Sequence, residues 1–298
     1  METIGLMSEQ PMCQNPLALQ QLKRIWRECF EADDGYLDAY FSIGYRPEQT
    51  LVFQDDDTIL GMLTLLPCQY RGIHQGKVRL YKAAYLFAVG TLPQAQGRQI
   101  ASKLLGAADD VLKKQGVELA LLAEPSLYHF YQKRGYESFF TRRELFFEPK
   151  GRAEQLDTRT LSLKPVSLSE YYPKHINLIP QESILWDEQT LCFAERESIL
   201  YGGGLYVLME GQNELCICNI YRYKEEEVIV KELLLQQGVS QQQAIEALRD
   251  LFLQCRVTIR LTGTDKENRV PSGMIRFYGS KEDMPENTQM AYLPFLLD

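Results

Sequence analysis

The stretch TLPQAQGRQIASKLL (91–105) is the part of this sequence where residue types and spacing point most directly to chemistry. A proline and a polar run predict a loop, and apolar residues at helical spacing follow at once, so a helix begins near Arg98. Its first N–H groups lack partners within the helix and lie at the positive end of the helix dipole, which suits an anion such as phosphate. The stretch also fits an ordinary crossover in which Gly97 only turns the chain, and taken alone that interpretation is the more common one.

Two buried strands are predicted to hold this loop and helix in place. The first is LYKAAYLFAV (80–89), a largely apolar run rich in aromatic residues. The second is VELALLA (117–123), which follows the helix-ending Gly116. The order is therefore strand, loop, helix, strand.

The same order of elements occurs a second time after about residue 150. Three predicted strands are followed by a helix capped by Ser240 and by the strand RVTIRL (256–261). We therefore predict an α/β (α+β) protein of two tandem domains, residues 1–149 and 150–298, each a mixed, mostly antiparallel sheet flanked by helices. The second junction, LLLQQGVSQQQAI (233–245), lacks the loop pattern of the first, so we expect it not to hold the anion.

Composition excludes several classes of partner. The 298 residues carry a formal net charge of −8, with the basic residues scattered, which disfavours nucleic acid and favours a cationic small molecule. The 7 cysteines lack metal-ligand spacing, so we expect no metal, and reduced cysteines without a signal peptide predict a cytoplasmic protein. No apolar run is long enough to span a bilayer, so no membrane association is expected. A homo-oligomer is compatible with the sequence.

Three segments resemble, in order and spacing, the acetyl-CoA-binding core of the GNAT superfamily of N-acetyltransferases. They are VGTLPQAQGRQIASKLL (89–105), ALLAEPS (120–126) and FYQKRGYE (130–137), and the match covers residues 51–147. The doubled element order and DDGYLDAYF (33–41) resemble the tandem organisation of Eis-type acetyltransferases over most of the chain. The resemblance implies two GNAT-like domains, the first catalytic and the second degenerate.

The resemblance also implies which residues bind acetyl-CoA. The backbone of Val89, Gly90 and Thr91 is expected to pair with the pantetheine arm, and one of these amides to stabilise charge on the thioester oxygen. The other expected cofactor-binding residues are Gln96, Gly97, Arg98, Gln99, Ile100, Ala101, Ser102 and Ser126. Gln99 departs from the family pattern, which has glycine there. A glutamine keeps its N–H available to the pyrophosphate only if its φ is negative and its side chain points outward.

Catalytic and acceptor-binding residues follow from the same resemblance. Tyr131 is expected to protonate the departing thiolate, although a place in an aromatic core explains it as well. Glu124 is the first candidate for the base that deprotonates the acceptor amine, and His129 is the second. The expected acceptor wall consists of Asp33, Asp34, Tyr36 and Asp38, of which at least one aspartate is equally explained as a helix cap.

The sequence therefore predicts an N-acetyltransferase that moves the acetyl group of acetyl-CoA to a primary amine of a small molecule or peptide, by direct attack in a ternary complex. A CoA-binding, non-catalytic sensor or scaffold is the alternative, suggested by Gln99 and by the degenerate second half. The sequence contains neither the G-x-S-x-G motif of many hydrolases nor a P-loop.

Overall fold

The computed structural model describes residues 1–10, 13, 16–123, 125–150, 160–223, 226–261, 269–288 and 291–294. The chain forms two compact units. Unit 1 comprises Met1–Ser138, Ile184–Phe193 and Gly273–Glu286, and unit 2 comprises Phe139–Ser183, Ala194–Ser272 and Asn287–Asp298.

The chain contains runs of consecutive strands that are separated by helices. The strands are β1 (Glu2–Leu6), β2 (Thr50–Asp55), β3 (Thr58–His74), β4 (Lys77–Thr91), β5 (Leu119–Leu122), β6 (Glu137–Phe147), β7 (Leu161–Pro165), β8 (Ser183–Trp186), β9 (Gly204–Glu210), β10 (Asn213–Tyr223), β11 (Glu227–Leu235), β12 (Arg256–Leu261) and β13 (Arg269–Phe277). The helices are α1 (Pro16–Phe30), α2 (Asp34–Ala39), α3 (Ile100–Lys114), α4 (Tyr128–Gln132), α5 (Leu168–Leu178), α6 (Glu188–Leu200) and α7 (Gln241–Leu251).

Unit 1 is built on strands in the order β1-β2-β3-β4-β5-β13. The pair β4 and β5 is parallel, and the other neighbours run antiparallel. Helix α3 buries one face, formed by Ile100, Leu104, Leu105, Ala108 and Leu112, as the periodicity predicts. The fold class expected from the sequence, a mixed and mostly antiparallel sheet flanked by helices, is confirmed.

Helices α1 and α3 pack on opposite faces of β3 and β4. A Cβ added to Gly61 would lie 2.7 Å from Ile100 of α3, and one added to Gly90 would lie 3.0 Å from Ile25 of α1. Gly90 pairs with Met62, the residue after Gly61, and neighbouring residues of a strand point to opposite faces. Both glycines therefore allow a helix to approach the sheet closely where β4 ends.

Unit 2 has strands in the order β6-β12-β11-β10-β9-β7. Its parallel pair is β11 and β12, and α7 connects these two strands. Most of its core consists of aliphatic residues of β10, β11, β12 and α7. The unit thus repeats the element order strand, helix, parallel strand that occurs in unit 1.

The two compact units are discontinuous in sequence, and the domain boundaries 1–149 and 150–298 stay a prediction. Residues 274–277 of β13, near the end of the chain, pair with β5 in unit 1. Residues 143–147 of β6 pair with β12 in unit 2. Local sequence pattern predicts that a segment is a strand but does not specify its neighbour, which depends on register and face.

A buried polar cluster holds the C-terminal segment within unit 2. Glu232 accepts hydrogen bonds from the hydroxyl groups of Tyr171 and Tyr292, each at 3.0 Å, and lies 2.9 Å from Nδ1 of His175. Burial raises the pKa of both tyrosines well above the usual value, so they remain protonated donors. These bonds satisfy a carboxylate that is fully buried.

Candidate active site

Strand β4 contains a bulge just before the residues expected to bind the pantetheine arm. Met62 of β3 pairs with Gly90 and Thr64 pairs with Phe87, so β4 has one extra residue between these two pairs. Ala88 adopts a positive φ of 52°, which is rare for a residue other than glycine. Such a bulge bends the strand and disturbs its regular hydrogen bonding.

Beyond the bulge, the edge of β4 on the side of β5 is not paired with any described strand. The parallel pairing with β5 ends at Tyr85 and Leu121, although β4 continues to Thr91. The N–H of Leu92 donates to Leu60 of β3, so the preceding amide, that of Thr91, points away from β3. The carbonyl of Thr91 accepts a hydrogen bond from the thiol of Cys29 at 3.3 Å. An extended ligand can therefore form backbone hydrogen bonds along this edge.

The loop after β4 leads into α3 without a side-chain cap. Gln99 occupies the N-cap position, and its side chain makes no capping hydrogen bond. The first turn, Ile100–Ser102, therefore keeps backbone N–H groups that have no partner within the helix. Gly97 has a φ of 82°, and no atom lies within 4 Å of a Cβ added there. The loop thus offers N–H donors and open space to an anion.

The backbone conformation of Gln99 bears on its expected contact with the pyrophosphate. Its φ is 60° and its ψ is 24°, in the left-handed region that favours glycine, so Gln99 does not meet the negative-φ condition stated above for a glutamine whose N–H stays available to the pyrophosphate. Its side chain is exposed, as expected. Gln99 therefore adopts the backbone conformation available to the family's glycine, with backbone strain as the consequence.

Arg98 is held by two carboxylates of unit 1. Its Nη2 donates to Glu2 and to Asp55, each at 2.8 Å, and Lys103 also donates to Glu2 at 2.7 Å. Hydrogen bonds from Lys103 and Arg98 lower the pKa of Glu2, and a hydrogen bond from Arg98 lowers that of Asp55. Both carboxylates are therefore ionised at neutral pH and neutralise the arginine.

Tyr131 lies in α4 and is almost fully buried, with 4% of its surface exposed. Its ring packs against Tyr136, with centroids 5.9 Å apart. The end of α4 is tied to the first turn of α3, because Arg134 donates to the hydroxyl of Ser102. The fold thus brings the segment that contains Tyr131 to the N-terminal end of α3, next to the loop that contains Gly97.

The other predicted site residues near β5 and α4 and in the loop after β4 are exposed where the structure describes them. Glu124 lies outside the described residues. His129 is on α4 with its side chain exposed, and Ser126 is exposed in a short 3-10 turn, Pro125–Leu127. Gln96 is exposed at the end of another 3-10 turn, with an extended backbone.

Each aspartate of the expected acceptor wall has a partner. Asp33 caps α2 by accepting a hydrogen bond from the N–H of Tyr36 at 2.8 Å. Asp34 pairs with Arg27 at 2.7 Å, and Asp38 pairs with Lys23 at 3.0 Å. A hydrogen bond from Arg27 lowers the pKa of Asp34.

Tyr36 is buried against aromatic residues. Its ring lies 5.4 Å from Trp26 and 5.7 Å from Phe193, measured between centroids. The segment therefore presents packed aromatic rings and paired carboxylates, rather than a group of unpaired aspartates.

Two residues of this region were not identified from the sequence. Arg134 lies within the FYQKRGYE segment, where the motif directs attention to the aromatic residues and the glycine. Its positive charge next to that glycine was the available signal. Cys29 contacts Thr91 only through tertiary folding, and no pattern in the sequence indicates that contact.

Helix α7 of unit 2, which corresponds to α3, begins with a side-chain cap, whereas α3 does not. Ser240 caps α7 by accepting a hydrogen bond from the N–H of Gln243 at 3.1 Å. One of the N–H groups of its first turn is thereby satisfied. Gly238 has a positive φ of 85°, but the glycine precedes a capped helix.

The donor set in unit 1 fits CoA rather than a metal. Backbone N–H groups and cationic side chains suit phosphate groups, and the edge of β4 beyond Tyr85 suits the amides of a pantetheine arm. Over the described part of the chain, no group of three His, Cys, Asp or Glu side chains could hold a metal ion. None of the described helices is long and apolar enough to cross a membrane.

Three solved structures similar to this chain show its fold. A probable N-acyltransferase from Enterococcus faecalis V583 is 15% identical with a TM-score of 0.67. Eis1 from Mycobacterium abscessus is 13% identical with a TM-score of 0.65, and a GCN5-related N-acetyltransferase from Anabaena variabilis is 18% identical with a TM-score of 0.65. Each similarity covers 93% of this chain and 73% of the other.

One part of the sequence matches a family model. Residues 15–139 match the sequence model described as Acetyltransferase (GNAT) domain. Over these residues the chain is therefore similar to acetyltransferases of the GNAT superfamily. A search of the curated proteins found no match.

Proposed function

We propose that unit 1 transfers the acetyl group of acetyl-CoA to a primary amine by direct attack within a ternary complex. This proposal rests mainly on a strand edge that leads directly into a helix without a side-chain cap. Beyond Tyr85, no described strand pairs with β4 on the side of β5, and the loop after β4 ends at the uncapped first turn of α3. These are the donors that a pantetheine arm and a pyrophosphate require.

Different parts of β4 and the following loop are proposed to bind different parts of acetyl-CoA. The backbone of Val89, Gly90 and Thr91 orients the pantetheine arm, and the loop from Gly97 to Ser102 binds the pyrophosphate. When bound, acetyl-CoA supplies the acetyl group as a thioester. An amide of β4 that points away from β3, such as that of Thr91, stabilises the oxygen of the thioester carbonyl as it gains negative charge.

Proton transfer is assigned to two side chains. The amine nitrogen attacks the carbonyl carbon and the carbon–sulfur bond breaks. Tyr131 donates its phenolic proton to the leaving thiolate, a role that suits a group with an ordinary pKa of about 10. Glu124 accepts the proton that the amine loses. Asp34 is a weaker candidate for this base, because its lowered pKa makes it a poor proton acceptor at neutral pH.

The acceptor is a primary amine of a small molecule or peptide. The net charge of −8 attracts a cationic acceptor. Asp33, Asp34, Tyr36 and Asp38 are proposed to line its entrance, with Tyr36 contributing through packing. We further propose that unit 2 is a degenerate GNAT-like domain and that the protein acts in the cytoplasm.

The assay measures the release of free thiol from acetyl-CoA in the presence of a panel of polyamines, aminoglycosides and lysine peptides. Transfer to an amine gives amine-dependent thiol release together with an acetylated product detected by mass spectrometry. Binding of acetyl-CoA without release for any amine would favour the non-catalytic sensor. Gln99 is one reason for that alternative, and its positive φ is one that glycine adopts without strain.

A further inference from the structure

We propose that Arg134, rather than the loop's own Arg98, provides the side-chain charge that binds a phosphate group of CoA. This inference rests on the proposed function and assigns a specificity-determining residue to the same site. The inference rests on the position of the Arg134 guanidinium and on a comparison of the hydrogen-bond and ion-pair partners of Arg134 and Arg98.

The guanidinium of Arg134 is held in one place by three contacts. Its Nη1 donates to the carbonyl of Phe130 at 2.7 Å, and its Nη2 donates to the hydroxyl of Ser102. Its central carbon lies 3.6 Å from the centre of the Phe130 ring. A guanidinium stacked on an aromatic ring is preorganised, so binding an anion costs little further side-chain entropy.

The ionic partners of Arg134 are also informative. The side chain is half-buried, and no described carboxylate forms an ion pair with it. Its position beside Ser102 puts this charge at the uncapped first turn of α3, where the backbone donors also favour an anion. A permanently charged, half-buried group that forms no ion pair with the described carboxylates is stabilised when an anion binds there.

Arg98 has the opposite environment. Its guanidinium is exposed and already donates to Glu2 and Asp55. A phosphate group at Arg98 would have to compete with these two carboxylates. The expected order of importance for CoA binding is therefore Arg134 before Arg98.

The experiment measures the affinity of the full-length protein for CoA and for dephospho-CoA, which lacks the 3′-phosphate, by calorimetry. The variants are Arg134→Gln, Arg98→Gln and, as a matched control, Lys133→Gln, which removes a charge from the neighbouring exposed side chain. Thermal unfolding of each variant checks that the fold is retained. Wild-type protein that does not bind CoA would refute the proposed function itself.

Given wild-type binding, Arg134→Gln should weaken CoA about 10- to 100-fold, as expected for the loss of a charge-assisted hydrogen bond. The loss should exceed those of Arg98→Gln and Lys133→Gln, and the variant's affinity should depend less on salt. A loss confined to CoA identifies the 3′-phosphate as the bound group, whereas a loss shared with dephospho-CoA identifies the pyrophosphate. Equal affinity of Arg134→Gln and wild type, or an equal loss in Lys133→Gln, would overturn the inference.

Discussion

Replacing Gln99 by glycine should stabilise the protein, although most substitutions by glycine destabilise. Gln99 has a φ of 60° in the structure, and its exposed side chain forms no hydrogen bond with a described residue. A residue with a Cβ in this left-handed conformation carries strain of about 1–2 kcal/mol, which glycine avoids. Glycine also gives the unfolded chain more freedom, and this costs about 0.4–1 kcal/mol. The free energy of unfolding should therefore rise by about 0.5–1 kcal/mol.

The control for this substitution lies three positions earlier. Gln96 is also exposed, but its φ is −61° and its ψ is 156°, a conformation that any residue adopts. Gln96→Gly should therefore only destabilise, by about 0.4–1 kcal/mol. The entropic contributions of the two glycines are similar, so the difference between the two variants measures the strain at Gln99 directly.

The measurement is denaturant unfolding of wild type and both variants, with CoA affinity determined in parallel. Gln99→Gly should keep or improve the affinity, because the backbone already has the geometry that glycine favours. Equal destabilisation by the two substitutions would refute the strain argument. A large loss of affinity in Gln99→Gly would show that the glutamine side chain itself contacts CoA.

Four further predictions test the site and its support. Gly97→Pro should abolish CoA binding, since proline cannot adopt the φ of 82° found there, and calorimetry showing wild-type affinity would remove the loop from the site. Tyr131→Phe should reduce turnover about 10²- to 10⁴-fold with unchanged thermal unfolding, and undiminished turnover in that variant would leave Tyr131 as core packing. Asp109→Asn should lower the free energy of unfolding by about 2–3 kcal/mol in denaturant unfolding, because Asp109 accepts hydrogen bonds from Arg276 and Tyr278 at 2.6 Å each. The control is Asp110→Asn at the exposed neighbouring residue, which should have little effect. Equal effects of the two substitutions would contradict this account. Titration with CoA should give one molecule per chain, since Ser240 caps the corresponding helix of unit 2, and a stoichiometry of two would contradict the assignment.

Much of the loop region could be predicted from the sequence because its determinants are local. The apolar stripe of α3 follows from helical periodicity, and the start of the helix was expected within two residues of Ile100. A helix cap among the aspartates of the expected acceptor wall was recognised for the same reason, since a cap depends on a few adjacent residues, and Asp33 is that cap. The φ of Gln99 was not predicted, because side-chain identity alone favours a negative value and the surrounding loop overrides that preference.

The sequence by itself determined many of the elements, their order and the similarity of residues 15–139 to a GNAT domain, since periodicity, turn residues and motif spacing are properties of neighbouring residues. Only the tertiary structure decided which strand completes each sheet, because β13 reaches β5 across about half of the chain and hydrogen bonding between strands depends on register. The tertiary structure also determined the ionic partners of the arginines near residues 97–102. Arg98 is neutralised by Glu2 and Asp55 from distant strands, whereas Arg134 is brought to Ser102 by the packing of α4. Electrostatic partners act through space, so the same residue type in two motif segments acquires two different environments.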